Sequence, residues 1–140
     1  MINKATGEVR FSDWEIPLSA LTTRSEFLDS TLAQKAKTEI TNEPYTSWRI
    51  RSSQWNNQWW TILVRFNEEK LTSIILAVWD DETGPKWENW SEKVERKLAE
   101  HHSTALVQML GASPHKFPWG VVESLYDEKS TESYIRIEYF

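Results

Sequence analysis

The chain has 140 residues, a formal net charge of −5 and nine tryptophans, and it contains no cysteine. This length suits one domain with a core of its own, and the missing thiols exclude disulfides, zinc–thiolate sites and cysteine nucleophiles. The negative charge disfavours nucleic acid and anionic membranes as partners, and no apolar run is long enough to span a bilayer. We expect a single α+β domain over residues 1–140, without a signal peptide and with a cytoplasmic location.

The first third of the chain predicts an extended segment followed by a helix. Residues 8–18 alternate weakly between apolar and polar side chains, and Pro17 ends the run. Thr23 and Glu26 have the spacing of a capping box, in which the threonine hydroxyl accepts from the glutamate amide. Apolar residues then recur at helical spacing, at Phe27, Leu28, Leu32 and Ala36. We therefore predict a helix from about residue 24 to 37.

The middle of the chain, residues 45–79, predicts a three-stranded antiparallel meander. A two-residue turn at 56–57 would place the arginines of the first strand on the apolar face of the second strand. A three-residue loop at 55–57 would place Trp48 and Ile50 there instead. We predict the three-residue loop, because a slip of one residue exchanges the two faces of a strand and this loop gains the apolar match.

The next turn, at residues 68–69, is predicted to pair Phe66 with Leu71 and Val64 with Ser73. One face of the meander then holds Trp48, Ile50, Trp60, Ile62, Val64, Phe66, Leu71, Ile75 and Trp79. The opposite face is basic toward the first strand and apolar toward the third, and it holds Arg49, Arg51, Trp59, Leu63, Arg65, Ile74, Leu76 and Val78. A sheet with apolar groups on both faces must be covered twice, by helix, by more sheet or by another chain.

Residues 87–110 predict the main helix, because apolar side chains recur at helical spacing and Gly111 and Pro114 follow as a stop. Residues 119–126 and 133–140 predict two further strands, joined by a turn. The predicted fold class is therefore α+β, with an antiparallel sheet of about five or six strands packed with one long helix and one shorter N-terminal helix.

The sequence contains no recognisable catalytic or metal-binding motif. His101 and His102 are adjacent, so on a helix they point about 100° apart and cannot chelate one metal together. The chain has only four glycines and lacks a glycine-rich phosphate loop. The three arginines 49, 51 and 65, beside Trp59, would form a small platform for single-stranded nucleic acid, but they are few for an acidic chain. We expect no cofactor, no metal and no enzymatic activity.

The candidate partner-binding residues combine negative charge with indole rings, and they are Asp80, Asp81, Glu82, Trp87, Trp90 and Trp55. The acidic run would steer a basic protein partner, although a solvated acidic loop explains it equally well. The indoles would supply buried contact area, because nine tryptophans exceed what one small core is expected to hold. The alternative is that the two tryptophans of the long helix pack as core, whereas we expect Trp55 to be exposed at a hairpin tip.

Three short segments near the C-terminus carry a resemblance: 119–124 (WGVVES), 126–130 (YDEKS) and 134–139 (YIRIEY). Together they resemble the ending of small uncharacterised bacterial proteins, some of which are similar to immunity proteins encoded beside secreted or contact-dependent toxins. The resemblance includes no catalytic motif, so no functional residue can be carried over. It implies a bacterial cytoplasmic protein with a protein-binding role. Strand and turn chemistry alone also accounts for the same residues.

The leading hypothesis is a binding protein of immunity type, which neutralises a basic partner such as a toxin by covering its active site. Two alternatives stay open. One is a small-ligand or enzymatic cleft between the sheet and the long helix, with Glu95, His102 and Tyr126 as its titratable groups. The other is a structural homodimer that uses the second apolar face of the sheet.

Overall fold

The computed structural model describes residues 1–79 and 91–140, with all side chains in these ranges except those of Ser52 and Trp79. The helices in this part of the chain are α1 (Arg24–Leu28), α2 (Thr31–Gln34) and α3 (Glu92–Leu110). The strands are β1 (Ala36–Asn42), β2 (Tyr45–Trp55), β3 (Gln58–Asn67), β4 (Lys70–Trp79), β5 (Lys116–Phe117), β6 (Gly120–Asp127) and β7 (Glu132–Tyr139). They form one antiparallel sheet in the order β1-β2-β3-β4-β7-β6-β5.

This architecture confirms the α+β class, the antiparallel sheet and the long helix, but the described strands number seven rather than five or six. The long helix was predicted over residues 87–110; it starts at Glu92, after Ser91, whose hydroxyl accepts from the backbone N–H of Val94, and residues 87–90 lie outside the described residues. It ends at Leu110, before Gly111 with φ 82°. Glycine adopts this left-handed conformation without a Cβ penalty, which is why it stops the helix as predicted.

The covering elements of the described chain lie on one face of the sheet. Residues 1–34 pack over β2 and β3, where the ring of Phe27 lies 5.7 Å from Trp48 and 5.6 Å from Phe66. Helix α3 packs over β4, β6 and β7, and its His102 ring lies 5.9 Å from Trp60. One continuous apolar core therefore fills the space between this face and the two covering layers.

The helix predicted over residues 24–37 is wrong beyond its first turn. The Thr23 hydroxyl accepts from the Glu26 amide as predicted, but α1 ends at Leu28, α2 is a separate short helix and β1 starts at Ala36. The Ser30 hydroxyl donates to the carbonyl of Phe27 at 2.6 Å. Aspartate and serine in succession offer such side-chain bonds in place of the helical ladder, so the helix breaks there.

The β2–β3 hairpin has a two-residue turn, so the predicted three-residue loop is wrong. Asn56 and Asn57 have φ 52° and 59°, the left-handed pair that a type I′ turn requires. Ile50 nevertheless pairs with Ile62 on the predicted core face, because the register shifts between Ile50 and Ser53. A bulge within β2 supplies the extra residue that the prediction assigned to the loop.

A side chain from the N-terminal segment contacts this bulge. The indole N–H of Trp14 donates to the Ser53 hydroxyl at 2.9 Å, and both residues are buried. The bond satisfies a polar group that the bulge would otherwise leave unpaired in the core. It therefore ties the covering layer to the point where the strand register changes.

A second bulge changes which residues of β4 face the core. Phe66 pairs with Leu71 as predicted, but the register shifts between Arg65 and Phe66, so Val64 pairs with Ile74 instead of Ser73. As a result Ile74, Leu76 and Val78 are buried in the core, and their predicted place on the opposite face is wrong. Ile75, predicted in the core, faces the other side with Ala77, which leaves that side less apolar than predicted.

Gly120 begins β6 where the backbone of β7 approaches most closely. A Cβ atom at this position would overlap the carbonyl oxygen of Glu138. Only a residue without a side chain fits between the paired strands here. The close approach of the two backbones therefore explains why the 119–124 segment has a glycine at position 120.

Candidate protein-binding face

The face of the sheet opposite the two covering layers carries a mixed row of side chains across six strands. We call this surface the open face. Each residue of the row is the register partner of the next, and the row runs Lys37, Arg49, Leu63, Ile75, Arg136 and Glu123. Because directly paired side chains on one face lie about 5 Å apart, these residues are neighbours. The row is basic at β1 and β2, apolar at β3 and β4, basic again at β7 and acidic at β6.

A groove of about 640 Å³ lies on the open face. Its arginines are Arg49, Arg51, Arg65 and Arg136. Its floor is made of small or apolar side chains of β3 and β4, namely Thr61, Leu63, Ile75 and Ala77. The remaining part is lined by the β6–β7 hairpin, at Asp127 and residues 130–134, and by Glu95 of α3. The groove therefore combines an apolar floor with guanidinium groups from three different strands.

Within the described part of the chain, two of the groove arginines form ion pairs and two do not. Arg49 donates to Glu39 at 2.8 Å, and Arg136 donates to Glu123 at 2.9 Å. Arg51 and Arg65 are exposed, and neither forms an ion pair with any residue in the described ranges. Exposed pairs contribute little to folding stability, so these arginines are better placed to meet a ligand than to stabilise the fold.

Leu63 is only 8 % exposed although it lies on the open face. Arginine side chains beside such a residue can cover apolar surface with their aliphatic stems while their charged ends stay in water. Ile75 and Ala77 remain half-buried. The accessible apolar surface of the groove therefore lies on β4, between the arginines of β2 and β3 and that of β7.

Two carboxylates at the β6–β7 end of the groove, those of Glu95 and Asp127, accept local hydrogen bonds. Glu95 is buried, and its carboxylate accepts from the backbone N–H and the hydroxyl of Ser133 at 3.0 and 2.9 Å. Asp127 accepts from the Lys129 amide at 2.9 Å, and this bond lowers the pKa of its carboxyl group. The groove is thus acidic at the hairpin and basic along β2 and β3.

The three titratable residues of the cleft alternative do not converge. Glu95 bonds to Ser133, while the Tyr126 ring lies 4.8 Å below the Arg96 guanidinium. His102 is fully buried, and its Nε2 accepts from the backbone N–H of Val78 at 2.9 Å. Burial, and secondly the charge of the neighbouring histidine, lower the pKa of His102 to about 4. These residues hold the helix on the sheet in three separate contacts, and the arrangement gives the cleft no support.

Most of the predicted partner-binding residues, namely Asp80, Asp81, Glu82, Trp87 and Trp90, lie outside the described residues. Trp55 is half-buried instead of exposed: its ring lies edge-on to Trp60 at 6.1 Å, and the next residue, Asn56, donates to Gln108 of α3 at 3.2 Å. The hairpin tip therefore packs against α3, and this contact shields part of the Trp55 indole.

Six tryptophans have described side chains, and none of these six is exposed. Trp14 and Trp60 are buried, and Trp48, Trp55, Trp59 and Trp119 are half-buried. The core and its margins accommodate more indole than we expected. The sequence did identify Arg49, Arg51 and Arg65 as one surface, but it missed Arg136, because the β4–β7 pairing joins residues far apart in the chain.

Residues 1–79 and 91–140 contain no cluster of three or more His, Asp or Glu side chains that could hold a metal ion. Over the same ranges, no helix is both long enough and apolar enough to cross a membrane.

Comparison with known proteins gives a likeness in fold alone. No protein-family model matches the chain, and no curated protein matches its sequence. Among solved structures, the chain is similar to a chain of the assembly described as "Rhs1-CT in complex with cognate immunity protein RhsI1", with a TM-score of 0.58 and 16 % identity. The match covers 99 % of this chain and 85 % of the other. The chain therefore shares its fold with a component of a complex that contains an immunity protein.

Proposed function

We propose that this chain is a protein-binding module of immunity type, which neutralises a partner such as a toxin by covering its active site. It acts in the cytoplasm and has no catalytic activity of its own. The observation that carries the proposal is the open face, where Arg51 and Arg65, which have no ion-pair partner among the described residues, lie beside accessible apolar side chains. The fold likeness supports it, since the similar structure contains an immunity protein bound to its cognate partner.

The composition of the groove supports binding over catalysis. Arginine beside buried apolar surface is typical of the residues that contribute most to protein–protein affinity. A catalytic site, by contrast, brings titratable groups together within hydrogen-bond reach of one reacting atom. The groove is lined by four arginines, and their guanidinium groups stay protonated near neutral pH, so they cannot act as a general acid or base there.

The candidates from the sequence remain part of this proposal as a second contact surface, which comprises Asp80, Asp81, Glu82, Trp87, Trp90 and Trp55. The acidic run is suited to steering a basic partner. The arginines of the open face have the opposite charge, so the proposed partner has surface regions of both signs.

The direct test is co-expression with the product of the neighbouring gene. We expect that product to co-purify with this chain in a stable complex and to lose its toxicity to the host cell when this chain is present. Light scattering of the isolated chain should give the mass of a monomer, whereas a dimer would favour the homodimer alternative. A neighbouring product that neither binds nor is neutralised would refute the proposal.

The acidic run can be tested in the same complex. Neutralising it with Asp80→Asn, Asp81→Asn and Glu82→Gln together should slow association about tenfold at low salt, because steering acts on the encounter rate. The matched control neutralises three other exposed carboxylates, Glu15, Asp29 and Glu100. An equal effect of both triple variants would show that net charge alone, and not this run, controls the rate.

A further inference from the structure

We infer that the groove of the open face binds an acidic segment of the protein partner, with an apolar side chain of that segment on the β4 floor. This inference rests on the proposed function and specifies the chemistry of the partner at this site. It differs from the hypothesis of a basic partner, which came from the acidic run at residues 80–82. A partner that is basic overall can still present an acidic segment here.

The charge of the groove determines which segment it accepts. Arg51 and Arg65 are exposed and lack ion-pair partners in the described part of the chain, and each presents a planar fork of N–H donors. A carboxylate matches this fork with two parallel hydrogen bonds. A lysine or arginine of a partner would instead meet up to four guanidinium groups, which favours an acidic segment over a basic one.

The width of the groove favours a single segment of protein. Arg49 and Arg136 lie three strand spacings apart in the same register row, which corresponds to about 14 Å across the sheet. One extended strand, or one helix of about 10–12 Å including its side chains, fits within that width. Leu63 and Ile75 lie between the two arginines, so an apolar side chain from the middle of the segment would be flanked by cations.

A nucleic acid is a poorer match for this groove than an acidic peptide. A phosphate backbone carries charge at every nucleotide, so it requires a continuous basic track. The groove is basic along β2 and β3 but contains Asp127 and Glu132 at its hairpin end, and the whole chain has a net charge of −5. A peptide can place its carboxylates at the arginines alone, with uncharged residues at the acidic hairpin end.

The first experiment locates the segment in the complex formed with the neighbouring-gene product. A photo-crosslinking amino acid replaces Ser130, an exposed residue of the groove lining. The control carries it at Thr104, an exposed residue of α3 in the covering layer. Mass spectrometry should show that Ser130 crosslinks to a partner segment in which Asp or Glu flanks an apolar residue. Crosslinks from Thr104 alone, or to a segment without carboxylates, would overturn the inference.

The second experiment reverses the charge of the groove. Arg51→Glu together with Arg65→Glu should weaken binding by at least about 100-fold, because each change replaces an attraction with a repulsion. The matched control, Arg10→Glu with Lys97→Glu, makes the same charge change at exposed positions in the covering layers and should alter the affinity less than about threefold. Replacing the acidic residues of the crosslinked segment by lysine should restore binding to the reversed groove.

If the charge reversal impairs folding, a more conservative double substitution still tests the inference. Arg51→Gln with Arg65→Gln keeps the length of polar side chain and should weaken binding about tenfold, with a thermal unfolding midpoint close to that of the original chain. Binding that is unaffected by either arginine pair would refute the inference while the proposed function stands. Failure of the original chain to form any complex would instead refute the proposed function.

A third experiment determines whether the groove prefers a peptide or a nucleic acid. Fluorescence anisotropy compares a synthetic peptide of the crosslinked segment with a labelled single-stranded oligonucleotide of similar length at the same salt concentration. We expect the peptide to bind and the Arg51→Glu, Arg65→Glu variant to abolish its binding. An oligonucleotide that binds more tightly than the peptide, with the same dependence on these arginines, would overturn the inference.

Discussion

His102 makes the stability of this fold sensitive to acid. Its ring is fully buried, and Nε2 accepts a hydrogen bond from the Val78 N–H, so the proton of the neutral ring is on Nδ1. Protonation would place a second N–H at Nε2, directly opposite the Val78 donor. Burial opposes the charge as well, and the pKa of His102 falls to about 4.

The size of the effect follows from the two pKa values. The unfolded chain takes up a proton on this residue below about pH 6.5, and the folded chain does so only below about pH 4. The free energy of unfolding therefore falls as the pH drops through this window, at up to about 1.4 kcal/mol per pH unit and by about 3 kcal/mol in all. Above pH 6.5 the full stability is present.

Urea unfolding at pH 7.5 and pH 5.5 tests this prediction with the His102→Gln variant, whose side-chain oxygen can accept from Val78. Between the two pH values, the free energy of unfolding of the original chain should fall by about 1 kcal/mol more than that of the variant. His101→Gln, an exposed neighbour, is the control and should behave as the original chain does. Equal losses in the original chain and His102→Gln would refute the reasoning, as would an NMR titration that places the His102 pKa near 6.5.

Three further predictions concern the strand geometry, and urea unfolding measures the free energy of unfolding in each case. Gly120→Ala should lower the free energy of unfolding by more than about 2 kcal/mol, because its Cβ would overlap the facing backbone; a loss below about 1 kcal/mol would contradict the close approach. Ser53→Ala should cost about 1–3 kcal/mol, since it leaves the buried Trp14 indole N–H without its acceptor, and a neutral result would show that this bond does not hold the bulge. Asn57→Ala should lower the free energy of unfolding by about 1 kcal/mol, because alanine is disfavoured at the φ of 59° in this turn, whereas Asn57→Gly should leave it unchanged. Equal effects of the two substitutions would show that the left-handed φ at this position does not affect stability.

The sequence correctly predicted the elements in which apolar residues recur at the same spacing as the buried positions. The long helix has Leu98, Ala105, Leu106 and Leu110 on its buried side, and the meander alternates strongly enough to identify three strands. Strand β1 gave no such signal, because all of its residues after Ala36 are exposed. An edge strand whose side chains bury little area carries no hydrophobic period to recognise.

The two bulges explain why the predicted faces were only partly right. A turn length can be inferred from residues such as Asn56 and Asn57, whereas a bulge inside a strand changes the face without any turn residue to mark it. The shift near Ile50 compensated for the wrong loop length, but the shift near Arg65 moved Ile74 and Leu76 into the core. The candidate groove depended on that second shift and on the distant β7 strand, so the sequence could identify only its β2 and β3 arginines.

Since alternate residues of each strand point to opposite sides, the chain separates the positions that hold the fold from those that form the groove. Arg51 and Arg65 can be replaced without opening a cavity, whereas their neighbours Ile50 and Val64 cannot. Such a scaffold can exchange one set of surface residues for another while its free energy of unfolding changes little. New binding preferences can therefore arise by a few substitutions on β2, β3 and β7, each of them tolerated singly by the same architecture.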